Sequence, residues 1–280
     1  MTKTFGQELS KRHIIGNLTA KKADKYHLYQ LSVQSPEPDI DFLVKIYRKA
    51  RGKKAKHFRE DFCGTCLLTA TWINQGKDYT AESYDIDPEP LEWGYRHNLE
   101  PLGKTAAQAI QCQADVREPS IKKPDIRCAQ NFSYWIFKER REMLNYFKNC
   151  RNDLAKKGIF VIDIHGGPEA ITYMEEESEL EHGFSYVWDQ YEFWPVTSDA
   201  TMKIHFRFQD GSELKNAFTY NWRFWTIPEL TELLKEAGFK QVDCYWEGTA
   251  EDGESGNGIF KVTRKGTNDL SWVAYLVAFK

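Results

Sequence analysis

At 280 residues the chain is long enough for one large α/β domain or two small ones, and a chain of this size buries about 75% of its unfolded surface. A net charge of −3 supplies no general attraction toward nucleic acid or an anionic membrane, and no apolar run reaches the roughly 18 residues of a spanning helix. The six cysteines are scattered and the opening residues lack the apolar stretch of a signal peptide, so the expectation is a soluble, cytoplasmic protein with reduced thiols.

Residues 1–50 read as polar helix, which Pro36-Glu37-Pro38 divides in two. From about residue 56 strands alternate with helices, the mark of a mostly parallel sheet with crossover helices. The first strand, 56–61, is short and unusually polar for a central position. A helix over 67–75 ends at Gly76, a strand over 79–86 ends in Asp85-Ile86-Asp87-Pro88, and a helix follows through Leu91, Trp93 and His97. Strands are expected at 109–114 and 126–131, then a long helix carrying Leu144, Phe147 and Leu154 on one face and stopped by Gly158. The run 159–164 is the clearest strand in the chain. Between Gly166 and Trp225 the rhythm changes to short alternating aromatic runs at 184–188, 203–208 and 217–222, with Asp210-Gly211 as a hairpin signal. A helix over 227–237, with Pro228 near its start and Gly238 after its end, precedes strands at 241–246, 258–263 and 271–279, the last two expected as a hairpin. The expected division is an N-terminal helical cap (1–55), a Rossmann-like unit (56–165 with 226–280) and an antiparallel, aromatic-rich insertion (166–225).

Ligands of open parallel sheets bind at the carboxyl ends of the strands, where a tight turn lets backbone N–H groups meet them. Glu60, Phe62, Cys63, Gly64 and Thr65 form that turn after the first strand. Asp85, followed by Ile86, stands where an acid accepts hydrogen bonds from a ribose diol, and Asp115-Val116, ending the third strand, stands where an adenine amine is met. Ionised acids at successive strand ends need donors, which core packing does not provide. A dinucleotide fold would want G-x-G-x-x-G to cradle a pyrophosphate, and the chain lacks it. Cys63-x-x-Cys66 has neither a second CxxC nor a His-x₃₋₅-His to complete a zinc set, so no metal is expected.

Here the chain resembles the class I S-adenosylmethionine-dependent methyltransferases, over roughly residues 56–165 and 226–280. The family's acid-x-Gly-x-Gly-x-Gly turn is matched at Glu60 and Gly64 and departed from at Phe62 and Cys66, while its Cys-Gly-Thr variant is matched in full by Cys63-Gly64-Thr65. The resemblance implies a Rossmann-like, seven-stranded, mostly parallel sheet with a reversed C-terminal hairpin. It also implies S-adenosyl-L-methionine as cofactor, with the Gly64 turn on its methionine part, Asp85 on the ribose and Asp115-Val116 around the adenine. Asn131-Phe132 would then lie beneath the sulfonium.

Methyl transfer is an in-line displacement on an activated sulfonium, so alignment and desolvation come first and a base is optional. If a base serves, His165 is the candidate; its alternative is a polar loop residue. Tyr26 and Tyr29 are candidates to close over the cofactor, or to pack an amphipathic helix. The aromatic insertion reads as a lid over a small-molecule methyl acceptor, as a homodimer contact, or as a second small core. The expected activity is therefore N- or O-methylation of a small molecule. The alternatives are a non-catalytic cofactor-binding protein, and an RNA or protein methyltransferase using the basic run 49–59, against which the net charge argues.

Overall fold

The computed structural model describes residues 18–250 and 256–280; the part of the expected N-terminal helix before residue 18 lies outside them. Helices α1 (Lys25–Val33) and α2 (Pro36–Arg51) come first. Asp24 caps α1 through its side chain, and Pro36 occupies the first turn of α2, where its missing N–H costs nothing. The alternating part runs β1 (His57–Asp61), α3 (Leu67–Ile73), β2 (Thr80–Asp85), α4 (Pro88–Gly94), β3 (Ala109–Gln113), β4 (Ile126–Ala129), α5 (Arg140–Asp153) and β5 (Ile159–Gly166). The insertion forms β6 (Met174–Leu180), β7 (Phe184–Trp194), β8 (Asp199–Phe208) and β9 (Glu213–Arg223), an antiparallel sheet of its own whose Asp210-Gly211 turn is the expected hairpin. Helix α6 (Ile227–Glu236), opened by a Thr226/Glu229 capping box, leads to β10 (Gln241–Thr249), β11 (Gly256–Thr263) and β12 (Trp272–Phe279).

The main sheet has the order β11-β10-β12-β5-β4-β1-β2-β3, with β1 to β5 parallel and β12 antiparallel between β5 and β10. Two expectations are corrected here. The sheet holds eight strands, not seven, and the last two do not pair: the reversed hairpin is β10 with β12, while β11 lies on the outer edge of β10. Burial decides it, because most of β12 is buried and needs a central place, whereas β11 is largely exposed and suits an edge.

Each face of the sheet is covered by helices. Leu43 and Ile46 of α2 and Trp72 of α3 pack with Phe58, Cys128 and Val161 on one side. Phe147 of α5 and Leu230 and Leu233 of α6 pack with Phe160, Ile162 and Leu276 on the other. A third cluster joins Leu28 of α1 to Phe184, Ile204 and Phe206, so α1 docks on the second sheet. No described helix is long and apolar enough to cross a membrane.

The polarity of β1 has a physical reason. Side chains alternate along a strand. Phe58 and Glu60 point toward α3, where Phe58 stacks on Trp72, while His57, Arg59 and Asp61 point to the other side. There His57 meets Glu82 at 3.1 Å, and Asp61 receives the Nε atoms of Arg59 and Arg127, both at 2.7 Å, and the Tyr146 hydroxyl. Arg127 also reaches Asp153 at 3.0 Å, and both guanidinium groups donate to the carbonyl of Val116. Arg59 and Arg127 are fully buried, so the basic run 49–59 ends inside the protein. Removing one partner from such a network leaves an uncompensated buried charge. Asp61→Asn is expected to cost about 3–5 kcal/mol in a urea titration; a loss under about 1 kcal/mol would show that the network contributes little.

Candidate functional site

A cavity of about 730 Å³ opens at the carboxyl ends of β1 to β4, beneath α1 and β9. Its size lies within the roughly 300–1,000 Å³ of small-molecule sites. The turn after β1 supplies Glu60, Phe62, Cys63, Gly64 and Thr65 to its wall. From the ends of β2 and β3 come Asp85 with Ile86 and Asp115 with Val116, and Asn131 follows β4. Tyr29 reaches in from α1, with Tyr26 beside it.

The β1 turn is held by left-handed backbone. Phe62, Gly64 and Cys66 have φ of 56°, 49° and 56°, so all three positions where the resemblance calls for glycine adopt the conformation that glycine favours. For Phe62 and Cys66 this costs of order 1–3 kcal/mol each. Packing holds both: the Phe62 ring lies 5.9 Å from Phe137 and 6.1 Å from Tyr146, and Cys66 Sγ receives Gln111 Nε2 at 3.2 Å. The Cys66 thiol donates to the Cys63 sulfur at 3.5 Å, both free of a disulfide and buried, and burial pushes the Cys63 thiol up. A Cβ on Gly64 would meet no atom of the described residues within 4 Å, leaving free space beside that residue.

Neighbouring elements clip the turn in place. Gln30 of α1 donates to Thr65 Oγ1, Asn98 donates to the Thr65 carbonyl, both at 2.7 Å, and Gly64 N–H donates to Asp85 Oδ2 at 2.8 Å. Asp85 Oδ1 accepts from Asp87 N–H, and burial raises the Asp85 carboxyl despite these donors. Glu60, reaching from β1, accepts the N–H and hydroxyl of Thr69 in the first turn of α3, whose capping residue Cys66 offers no oxygen of its own. Asp115 is paired with Arg117, which lowers its carboxyl.

Two expected site residues lie elsewhere. His165 and Phe132 are not on the cavity wall. The His165 ring stacks on Trp135 at 4.9 Å and meets Phe132 at 4.5 Å, and burial pushes it down to about 4; its packing among these rings, off the wall, places it away from the cavity. The residue that organises this corner is Asp163, whose carboxylate accepts the N–H groups of Asn131 and Phe132, both left-handed. Burial pushes it up to about 7. Its signal was an acid inside the apolar run 159–164. Sequence reasoning also missed Gln34, Asp39 and Gln130 on the wall. Asp39 precedes Leu43 by four residues and Ile46 by seven, so an acid on the apolar stripe of α2 was the readable sign.

The roof comes from β9, whose inward Phe218, Tyr220 and Trp222 line the cavity. Phe218 lies 5.0 Å from Tyr29, and the Tyr29 and Tyr220 hydroxyls share a hydrogen bond. The wall carries five acids (Asp39, Glu60, Asp85, Asp87, Asp115) against two bases, Lys25 and Arg117, which suits a cationic ligand.

Two expectations follow for the turn itself. A Cβ on Gly94 would come within 2.2 Å of the Thr65 carbonyl oxygen, so Gly94→Ala is expected to lose about 1–3 kcal/mol on chemical denaturation; wild-type stability would mean the turn yields freely. Burial pushes Glu60 up to about 8, so its contribution is fullest below the ordinary glutamate range and is lost as pH rises through 8. Ligand-free Glu60→Gln should therefore melt higher than wild type at pH 8.5, the gap closing as pH falls toward 5; a gap independent of pH would contradict that ionisation.

No family model matches this chain, and no curated protein does. Solved structures do. An S-adenosylmethionine-dependent methyltransferase from Clostridium acetobutylicum aligns with 91% of this chain and 96% of its own at 16% identity, TM-score 0.66. An amino pentose methyltransferase from Micromonospora echinaspora, solved with its cofactor bound, aligns over 94% and 98% at 15% identity, TM-score 0.64. A sugar N-methyltransferase from a Streptoalloteichus species aligns over 96% of both chains at 15% identity, TM-score 0.61. The chain has the fold of the S-adenosylmethionine-dependent methyltransferases.

Proposed function

We propose that the protein is an S-adenosylmethionine-dependent methyltransferase that transfers a methyl group to a nitrogen or oxygen atom of a small molecule. One observation carries this reading: Asp85 is fixed by backbone N–H groups at the end of β2, beside the left-handed Gly64 turn, in a cavity whose wall includes five acids and seven aromatic rings. The residues fit the cofactor chemically. Asp85 retains lone pairs for a ribose diol, Ile86 and Val116 offer apolar surface to a base, and Gly64 leaves room at the closest approach. The similarity of fold to an amino pentose methyltransferase, solved with the cofactor, and to a sugar N-methyltransferase supports a small amine as acceptor.

The cofactor, when bound, supplies an electrophilic methyl group on a sulfonium. The chain's part is alignment and exclusion of water, worth up to about 7–11 kcal/mol in well-oriented systems. Phe218, Tyr220 and Trp222 line the cavity, an aromatic surface suited to a cationic amine. Helix α1 and the insertion at 166–225 act together as the acceptor-side lid, a reading supported by the packing of Leu28 against Phe184 and Phe206. His165 has no part in it. Phe62 and Cys66, the two departures from the glycine pattern, both hold the backbone shape that glycine would, which favours an enzyme over a non-catalytic binder.

Asp85→Ala should weaken S-adenosylhomocysteine binding roughly ten- to a hundredfold in calorimetry, the value of a charge-assisted contact of about 1.5–3 kcal/mol. Unchanged affinity would remove Asp85 from the site. Adenosylhomocysteine release, screened across amines, phenols and acids, tests the acceptor class.

A further inference from the structure

The five acids of the wall are not equivalent. Glu60 is spent on capping α3 through Thr69, Asp85 holds the Gly64 and Asp87 N–H groups, Asp87 caps α4 through Glu89 N–H, and Asp115 is paired with Arg117. Asp39 accepts only the Tyr275 hydroxyl, at 2.8 Å on Oδ1, and among the described residues nothing donates to its other oxygen. No cation of the wall reaches it, since Lys25 pairs with Glu89 and Arg117 with Asp115. A largely enclosed carboxylate without a cation is costly unless a ligand brings one.

The surroundings of Asp39 say which ligand group that is. It stands near Cys128 and Asp163, hence at the carboxyl ends of β4 and β5, away from the Asp85 and Asp115 ends of β2 and β3. Two more polar groups on the same wall are buried without partners among the described residues: the acceptor Gln34 Oε1, from the junction of α1 and α2, and the donor Gln130 Nε2, directly after β4. Two acceptors and one donor, all unmet, are the complement of a zwitterionic α-amino acid. An ammonium needs the first pair, and a carboxylate needs the second kind.

We propose that Asp39 and Gln34 bind the α-ammonium group of the cofactor's methionine end and that Gln130 binds its α-carboxylate, the turn acid Glu60 being committed to the helix cap. This rests on the cofactor reading given above. The test compares two nucleosides that differ in that end alone: S-adenosylhomocysteine, which has the amino acid, and 5′-methylthioadenosine, which lacks it. Wild type should bind the first more tightly. Asp39→Asn, which keeps an acceptor for Tyr275, should lose at least tenfold in affinity for S-adenosylhomocysteine while its affinity for methylthioadenosine stays within twofold. Gln34→Met, which leaves Asp39 untouched, should show the same pattern more weakly. Loss of affinity for both nucleosides in parallel would make these residues structural and overturn the proposal, as would unchanged S-adenosylhomocysteine binding, the result expected if Asp39 served the acceptor amine instead. Failure of the wild type to bind either nucleoside is a separate result and would overturn the cofactor reading itself.

Discussion

Two buried guanidinium groups sharing one carboxylate hold the site side of this protein together. Arg59 and Arg127 both donate to Asp61 and both donate again to the Val116 carbonyl, so β1, β4 and the loop after β3 are tied at a single point. The Tyr84 ring lies under Arg59 at 3.6 Å, and Asp153 closes the network from α5. Arginine suits the task because its planar fork reaches a carboxylate and a carbonyl at once and stays charged when buried. An apolar replacement of similar volume could match its stability, but it could not aim Val116, and Asp115 with it, at the cavity.

A second constraint builds on that tie. Five residues at the ends of β1 and β4 are left-handed, and only Gly64 is a glycine. Such backbone persists where the surroundings over-determine it. Here Asp163 receives two N–H groups at the β4 end, while Gln30, Asn98 and Asp85 grip the β1 turn. The glycine pattern of the wider fold thus describes a backbone shape, and this chain reaches the same shape with side chains that also fill the core.

Legibility in the sequence followed locality. The β1 turn, Asp85, Asp115 and the Asp210-Gly211 hairpin could be read because a short motif and a strand period carry each of them. The pairing of β11 with β10 could not, since it joins segments whose partners are chosen by the burial of β12. His165 looked like a base because it closes the clearest strand, yet its ring lies among Phe132, Trp135 and Phe224, while Asp163, two residues earlier on the same face of β5, holds the turn after β4. The polarity of β1 was visible, but its meaning depended on Arg127 and Asp153, 66 and 92 residues from Asp61 in the chain.

The two sides of the cavity have different mechanical bases. The floor is made of strand ends fixed by ion pairs and strained turns, where one altered residue disturbs several others. The roof is made of α1 and β9, whose contacts are mainly ring against ring, such as Tyr26 and Tyr29 on Phe218, and whose core is the small cluster around Phe184 and Phe206. Aromatic packing tolerates exchange of one ring for another better than a buried charge network tolerates loss of a partner. On the proposed reading, therefore, the acceptor side can change with substitution in β9 while the cofactor side stays as it is. A soft roof over a rigid floor is what a methyl transfer requiring fixed cofactor geometry and a variable acceptor would select.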